Sequence, residues 1–471
     1  MTSYFEDKDA KWFAGAGAGV ACALILGRAA LKKAKRIHDM EIDVNTLKPG
    51  FESVRDVFEA NYREGREEGS QLAVYVNGEL VVDLNGGRNK ERKLAADDLT
   101  VIFSCTKVVE SLAIAMLEDR GLIDYEAPIS KYWPSLGLHA SVTDLMRHEG
   151  GVPVFQNPQT KAEGLKTFSD PDLTQKYLEN NKPEWIPEKP TKRRFYHAVT
   201  RGMYASEIVR RTDGRTIKEF IAEEIVNKDP LIKDFTVGCP PEKQDKVAHH
   251  SLTQPRWWIV LRYFAYSLLP RWFLSLFYAP LDQMMQADIK IADSLQKKGS
   301  IYVRALTLFS DLPASILNIC NDRDVRALPL SSVTGISNAR SVARIFSNLV
   351  MGEYLSEKGL KAALANDVKL HPLHVDGYMH RAITMSNCGW GLDRYKRFEF
   401  DRMLGLTKEI FEAPGWVGWG GVGGSVLVFN PELKASFSFN VNGLDSQNFK
   451  ARGVRLLHEV NKILTSSKSK N

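Results

Sequence analysis

The sequence predicts an α+β fold: a predominantly antiparallel sheet with helices packed on it and a mostly helical insertion between its two halves. Three observations carry this reading. The segment 71–87 (QLAVYVNGELVVDLNGG) sets two β-branched runs around Asn77-Gly78, residues that tolerate the positive φ of a type I′ hairpin turn. Strand patterns return near the other end, at Gly424 to Asn430 and Ala435 to Val441, around a turn at Pro431-Glu432. Between them, from about 135 to 370, helical stretches dominate, including Met203 to Arg211, Ile217 to Val226 and Ala339 to Met351. A closing helix is expected from about Ser446 to Leu464, and sheet, helical insertion, sheet, helix is the order of an α+β architecture.

With 471 residues, 44% hydrophobic and 25% charged, the chain can bury a large core. The net charge of +6 is small for this length and the basic residues are scattered among acidic ones, so nucleic acid is not an expected partner. Cys22, Cys105, Cys239, Cys320 and Cys388 lie far apart with no CxxC pair, which points to neither a disulfide framework nor a zinc site. The odd cysteine count and the lack of any N-x-S/T acceptor favour a reducing compartment. His371, His374 and His380 lack acidic or cysteine partners at ligand spacing and read as loop or core histidines. No metal or cofactor is expected, since no P-loop, H-E-x-x-H, G-x-S-x-G or dinucleotide fingerprint occurs.

The N-terminus departs from a soluble pattern. Trp12 to Gly27 carries no charge, and Glu6, Asp7 and Asp9 before it argue against a cleaved signal or a transit peptide. The run reaches spanning length only if it extends to Leu31 with Arg28 snorkelling, so an uncleaved anchor and a short buried or interfacial helix both fit. Arg28, Lys32, Lys33, Lys35 and Arg36 follow it, and as an anchor it would leave the bulk of the protein on the cytoplasmic side. Gly15 and Gly19 form a GxxxG pair that could support a homo-oligomer. A second unusual segment, 256–279 (RWWIVLRYFAYSLLPRWFLSLFYA), interleaves aromatic residues with three arginines and Pro270. It suits a membrane-lipid interface or an ordinary buried helix pair. The expected organisation is an anchor with a basic linker over 1–40 and one catalytic domain over 41–471.

The chemistry centres on Ser104-Cys105-Thr106-Lys107, an S-x-x-K tetrad where a strand-like run, Leu99 to Phe103, meets a helix expected from Thr106 to Arg120 with Gly121 as its stop. Residues three apart share a helix face, so Lys107 can sit beside the Ser104 hydroxyl. Partial desolvation would lower its pKa enough to accept a proton, and the helix N-terminus favours negative charge at the serine. A capping serine with an exposed lysine is the plain alternative.

The stretch VIFSCTKVVESLAIAMLEDRGLIDYEAPISKYWP resembles the active-site segment of the class C β-lactamase and penicillin-binding-protein superfamily. DLMRHEGGVP is similar to that family's Leu-x-x-His-x-x-Gly stretch at His148 to Gly151, and YHAVTRGMYASEIVRRTDGRTIKEFIAEEI to its second motif with the helix after it. ISNARSVARIFSNLVMGE resembles a later family helix, so the likeness runs from about Phe51 to Leu464. The resemblance implies a β-lactamase/transpeptidase-like fold and an acyl-enzyme serine hydrolase. It makes Ser104 the nucleophile and Lys107 and Tyr196 the proton carriers. Ala198 stands where the family usually has asparagine. The third motif, usually Lys-Thr-Gly or His-x-Gly, appears as Trp419-Gly420-Gly421, like the family's esterases. By the same resemblance the Val422 N–H joins that of Ser104 in an oxyanion hole, beside a substrate strand edge formed by Trp419, Gly420 and Gly421. Without a cation in that motif, the expected substrate is an uncharged or lipid-like ester. An amide or peptide substrate and a catalytically inactive membrane scaffold are the rival readings.

Overall fold

The computed structural model describes residues 40–187, 193–253, 299–312, 316–366, 383–392, 396, 398–402, 407–445 and 451–468. The run 12–27, the aromatic segment 256–279 and His371, His374 and His380 lie outside the described residues. Among the described residues no helix is long and apolar enough to cross a membrane. Nor is any group of His, Cys, Asp and Glu among them placed to hold a metal ion.

The main sheet contains β1 (Glu41–Leu47), β2 (Gly69–Val76), β3 (Glu79–Gly87), β4 (Val417–Gly420), β5 (Val426–Asn430) and β6 (Ala435–Val441). Its order is β1-β3-β2-β6-β5-β4, with every neighbouring pair antiparallel. The hairpin forms as expected: Asn77 and Gly78 take φ of 50° and 81° between paired Val76 and Glu79. β2 then pairs with β6, from Ala435 opposite Val76 to Val441 opposite Ser70, which joins the two halves of the chain in one sheet.

Alternation along β6 explains the layers on either side. Phe437 and Phe439 share one face with the core residues of α1 (Glu52–Arg63) and α5 (Ala451–Lys468). Ser436 points the other way and donates its hydroxyl to Ala343 O at 2.7 Å, on α4 (Ala339–Val350). Small residues there, Ala73, Ala339 and Ala343, let this helix approach the sheet closely. Phe346 of α4 stacks on Phe429 of β5 at 5.2 Å.

Three details add to or adjust the sequence reading. β1 is a strand that the sequence pattern does not announce; it lies at the sheet edge with a half-exposed face, so its polar alternation hides it. The insertion is mostly helical, as expected, and also contributes short strands: Phe235–Val237, together with Thr100–Val101 from before it, flanks Gly335–Ser337 in a three-stranded sheet. The closing helix runs four residues beyond Leu464, through Lys468, and 446–450 lie outside the described residues.

Helix α2 (Thr106–Asp119) threads the interior between these layers. Every residue from Thr106 to Leu117 is buried, all round the helix. Its polar residues Lys107, Glu110 and Ser111 must therefore find partners inside the protein. The helix stops as expected at Gly121, whose φ is 72°, with Gly121 N and Leu122 N donating to Glu118 O and Leu117 O.

Candidate active site

Ser104 lies in the 3-10 turn Phe103–Cys105 that leads into α2, one step before the α-helix proper. Phe103 holds a positive φ of 48°, a conformation that costs a non-glycine residue about 1–2 kcal/mol. The neighbourhood enforces it. Thr106 Oγ1 donates to Phe103 O at 2.5 Å and accepts from Gly335 N at 2.9 Å, while Ile102 N donates to Gly335 O at 2.9 Å. The short Gly335–Ser337 strand thus braces the turn that presents the serine.

Lys107 is buried, and its Nζ donates to Ala198 O at 2.6 Å and Ser332 O at 2.9 Å. Desolvation, reinforced by the positive charge of Arg201, holds its pKa well below the usual lysine range. A neutral amine has two N–H groups and one lone pair, so two carbonyl acceptors use both donors and leave the lone pair. The nearest compensating carboxylate is engaged elsewhere: Glu110 pairs with Arg201 at 2.8 Å, neither side chain exposed. Arg201, on α3 (Thr200–Asp213), also donates to Lys107 O at 3.0 Å, Ser111 Oγ at 3.2 Å and Met146 O at 3.1 Å. Ser332 Oγ donates to Glu110 Oε2 at 2.9 Å, so this ion pair also fixes the loop whose carbonyl holds Lys107.

Tyr196 completes the group. Its hydroxyl donates to Ser104 Oγ at 2.7 Å, and Lys107 Nζ lies 5.0 Å from its ring centroid. Ala198 contributes its carbonyl rather than its side chain, which is why the asparagine-to-alanine departure leaves the lysine contact intact. Trp419, expected at the substrate edge, has its indole buried on Tyr196 instead: the rings stack at 5.7 Å and 19°, and Nε1 donates to Tyr196 Oη at 3.3 Å. His148 packs edge-to-face on Tyr196 at 4.7 Å.

β4 places the third motif against the nucleophile's turn. Cys105 Sγ contacts Trp419 O at 3.7 Å, and a Cβ on Gly421 would stand 2.7 Å from Ile102 O. Glycine at 421 is thus a requirement of close approach. Past Gly420 the chain turns through Gly421–Gly424, with Gly421 N donating to Ser425 O at 2.8 Å and half-buried Val422 near the tip. Arg452 of α5 secures this turn from behind. Its Nη2 donates to Gly423 O at 2.6 Å, and its Nη1 pairs with Glu67 at 2.6 Å, both side chains fully buried.

The structure therefore brings Ser104, Lys107, Tyr196, Trp419, Gly420 and Gly421 together, with Val422 on the adjoining turn. Sequence reasoning missed the Ser332 carbonyl, the Glu110–Arg201 pair and the Arg452 anchor. Glu110, a charge within the mostly apolar run Val108 to Leu117, was the one available signal.

The sequence profile of the Beta-lactamase family matches residues 54–462. Esterase/beta-lactamase LipL of Mycobacterium tuberculosis (strain ATCC 25618 / H37Rv) is 33% identical over 202 residues. That match spans 41% of this chain and 44% of the length of LipL. Among solved structures, a penicillin-binding-protein homolog from Caulobacter crescentus is similar with a TM-score of 0.66 and 24% identity, over 90% of this chain and 100% of that one. A family VIII carboxylesterase has a TM-score of 0.67 and 23% identity over the same shares. EstA from Arthrobacter nitroguajacolicus Rue61a has 0.67 and 22%, over 90% and 99%. These likenesses show a shared fold, and with the family profile covering most of its length, the chain belongs to the Beta-lactamase family.

Proposed function

We propose that this protein is a serine hydrolase that forms an acyl-enzyme on Ser104 with an ester or amide. The observation that carries the reading is the 2.7 Å contact between Tyr196 Oη and Ser104 Oγ beside a buried, deprotonation-prone Lys107. Two hydroxyls in contact can exchange donor and acceptor roles. As Ser104 Oγ bonds to the substrate carbonyl carbon, its proton passes to the Tyr196–Lys107 pair and from there to the departing alkoxide or amine. Water then repeats the sequence in reverse and frees the acid. The N–H groups of Ser104 and Val422 receive the oxyanion, each worth about 3–4 kcal/mol in the transition state.

The substrate is an uncharged, lipid-like ester. Trp419 occupies the position of a cation, and the buried arginines next to the second motif are already paired, Arg194 with Glu149 and Arg201 with Glu110. No carboxylate clamp is therefore offered by those two residues, which weighs against a peptidase. Membrane attachment through 12–27, with the catalytic domain on the cytoplasmic side and 256–279 at the lipid interface, suits such a substrate. The test is a substrate panel on the full chain. Short-chain aryl esters are expected to be cleaved far faster than nitrocefin, with both activities lost in Ser104→Ala; faster nitrocefin hydrolysis would reject the ester reading.

A further inference from the structure

His148 carries two local costs at once. It adopts a positive φ of 65°, unfavourable for a residue with a Cβ, and its buried Nε2 has no hydrogen-bond partner among the described residues. Both follow from what the rest of the residue does. His148 O accepts from Phe195 N at 3.1 Å, and His148 Nδ1 accepts from His197 N at 3.2 Å. Backbone and ring of one residue thus grip the amides on either side of Tyr196, and the left-handed backbone lets both acceptors face the same segment. An acceptor at Nδ1 requires the neutral ring with its proton on Nε2, which explains where the unpartnered N–H comes from.

The grip is supported from behind. His197 Nε2 accepts from Val152 N at 3.1 Å and its Nδ1 lies 2.6 Å from Phe195 O, so the segment 195–197 is tied to 148–152 at several points. The His148 ring also touches both Tyr196 and Trp419, at 4.7 and 6.2 Å. Arg201, Lys107, Arg194 and His197 lie around it; burial, reinforced by the Arg201 charge, holds its pKa well below the usual histidine value. Burial thus favours the neutral ring that accepts at Nδ1.

We propose that His148 is a positioning residue for the reaction, a two-point clamp on the Phe195 and His197 amides that aims the Tyr196 hydroxyl at Ser104. This rests on the reading of Ser104 as nucleophile and Tyr196 as proton carrier. Asparagine offers a direct test, because its Oδ1 occupies the place of Nδ1 and it tolerates a positive φ. Glutamine sets its acceptor one bond too far, and leucine has none.

The experiment compares wild type, His148→Asn, His148→Gln and His148→Leu. Two readouts are taken on folded protein: the rate of Ser104 labelling by a fluorophosphonate, and hydrogen exchange of the Phe195 and His197 amides. His148→Asn is expected to retain most of the labelling rate and the amide protection. His148→Gln and His148→Leu are expected to label on the order of 10²-fold more slowly, as a misplacement of about 1 Å produces, with those amides deprotected. Asparagine and leucine variants that label equally, or amides that stay protected in His148→Leu, overturn the clamp. If wild type does not label at all, the hydrolase reading fails, and the exchange data still decide the clamp. A variant that fails to fold is replaced by comparing His148→Asn with His148→Gln alone.

Discussion

Trp419 donates its indole N–H to the Tyr196 hydroxyl at 3.3 Å while its ring stacks on the same phenol, so it contacts the group proposed to carry the proton from two sides. Trp419→Phe keeps an aromatic ring there and removes only the donor. We expect kcat for an aryl ester to fall several-fold with KM little changed, the scale of one neutral hydrogen bond of about 1 kcal/mol. Steady-state kinetics check this; an unchanged kcat would show that the N–H does not act on Tyr196.

On the proposed mechanism, Lys107 sets the acid limb of activity. Because its folded pKa lies below the unfolded value near 10.5, kcat/KM should fall as pH drops through that lowered pKa, where the amine becomes protonated. The same shift has a sign in stability. Between the folded pKa and about 10.5 the unfolded chain binds the extra proton, so wild type gains stability as pH rises through that window. Lys107→Met removes the dependence. Urea unfolding of both proteins across this range should show wild type gaining on the variant as pH increases, and the variant should not acylate.

Glu110 and Arg201 form a fully buried pair, so deleting one partner strands a charge in the core. Glu110→Gln or Arg201→Met should each cost about 3–5 kcal/mol, and the double variant less than their sum. Denaturant midpoints of the three variants measure this directly. Additive losses would mean that the two residues do not act as a pair.

Gly421→Ala introduces a Cβ 2.7 Å from Ile102 O and 3.3 Å from Ser425 Cβ, which must push the third-motif turn away from the nucleophile. Acylation is expected to slow on the order of 10²-fold, the penalty of about 1 Å of misplacement. The melting temperature should move far less than the rate.

What the sequence made legible was local. Asn77-Gly78 declares its hairpin through its own backbone preferences, and Ser104 to Lys107 lie within one turn of chain, so spacing alone brings them together. Tyr196 was found through the resemblance around it. The hidden parts join residues far apart in the chain: Lys107 to the carbonyls of Ala198 and Ser332, Glu110 to Arg201, Arg452 to Gly423, and Trp419 to Tyr196. A carbonyl exists at every position and carries no side-chain signature, so the lysine's acceptors could not be read from residue types. β1 escaped for a related reason: half-exposed at the sheet edge, it lacks the apolar alternation that marks β2 and β3.

The most direct test of the central claim is the intact mass of the purified full chain after incubation with a fluorophosphonate, wild type beside Ser104→Ala. The geometry at Ser104, Tyr196 and Lys107 predicts one adduct on wild type and none on the variant. A folded wild type that acquires no adduct, or a Ser104→Ala protein that acquires the same one, would contradict an activated serine at this position and return weight to a non-catalytic scaffold.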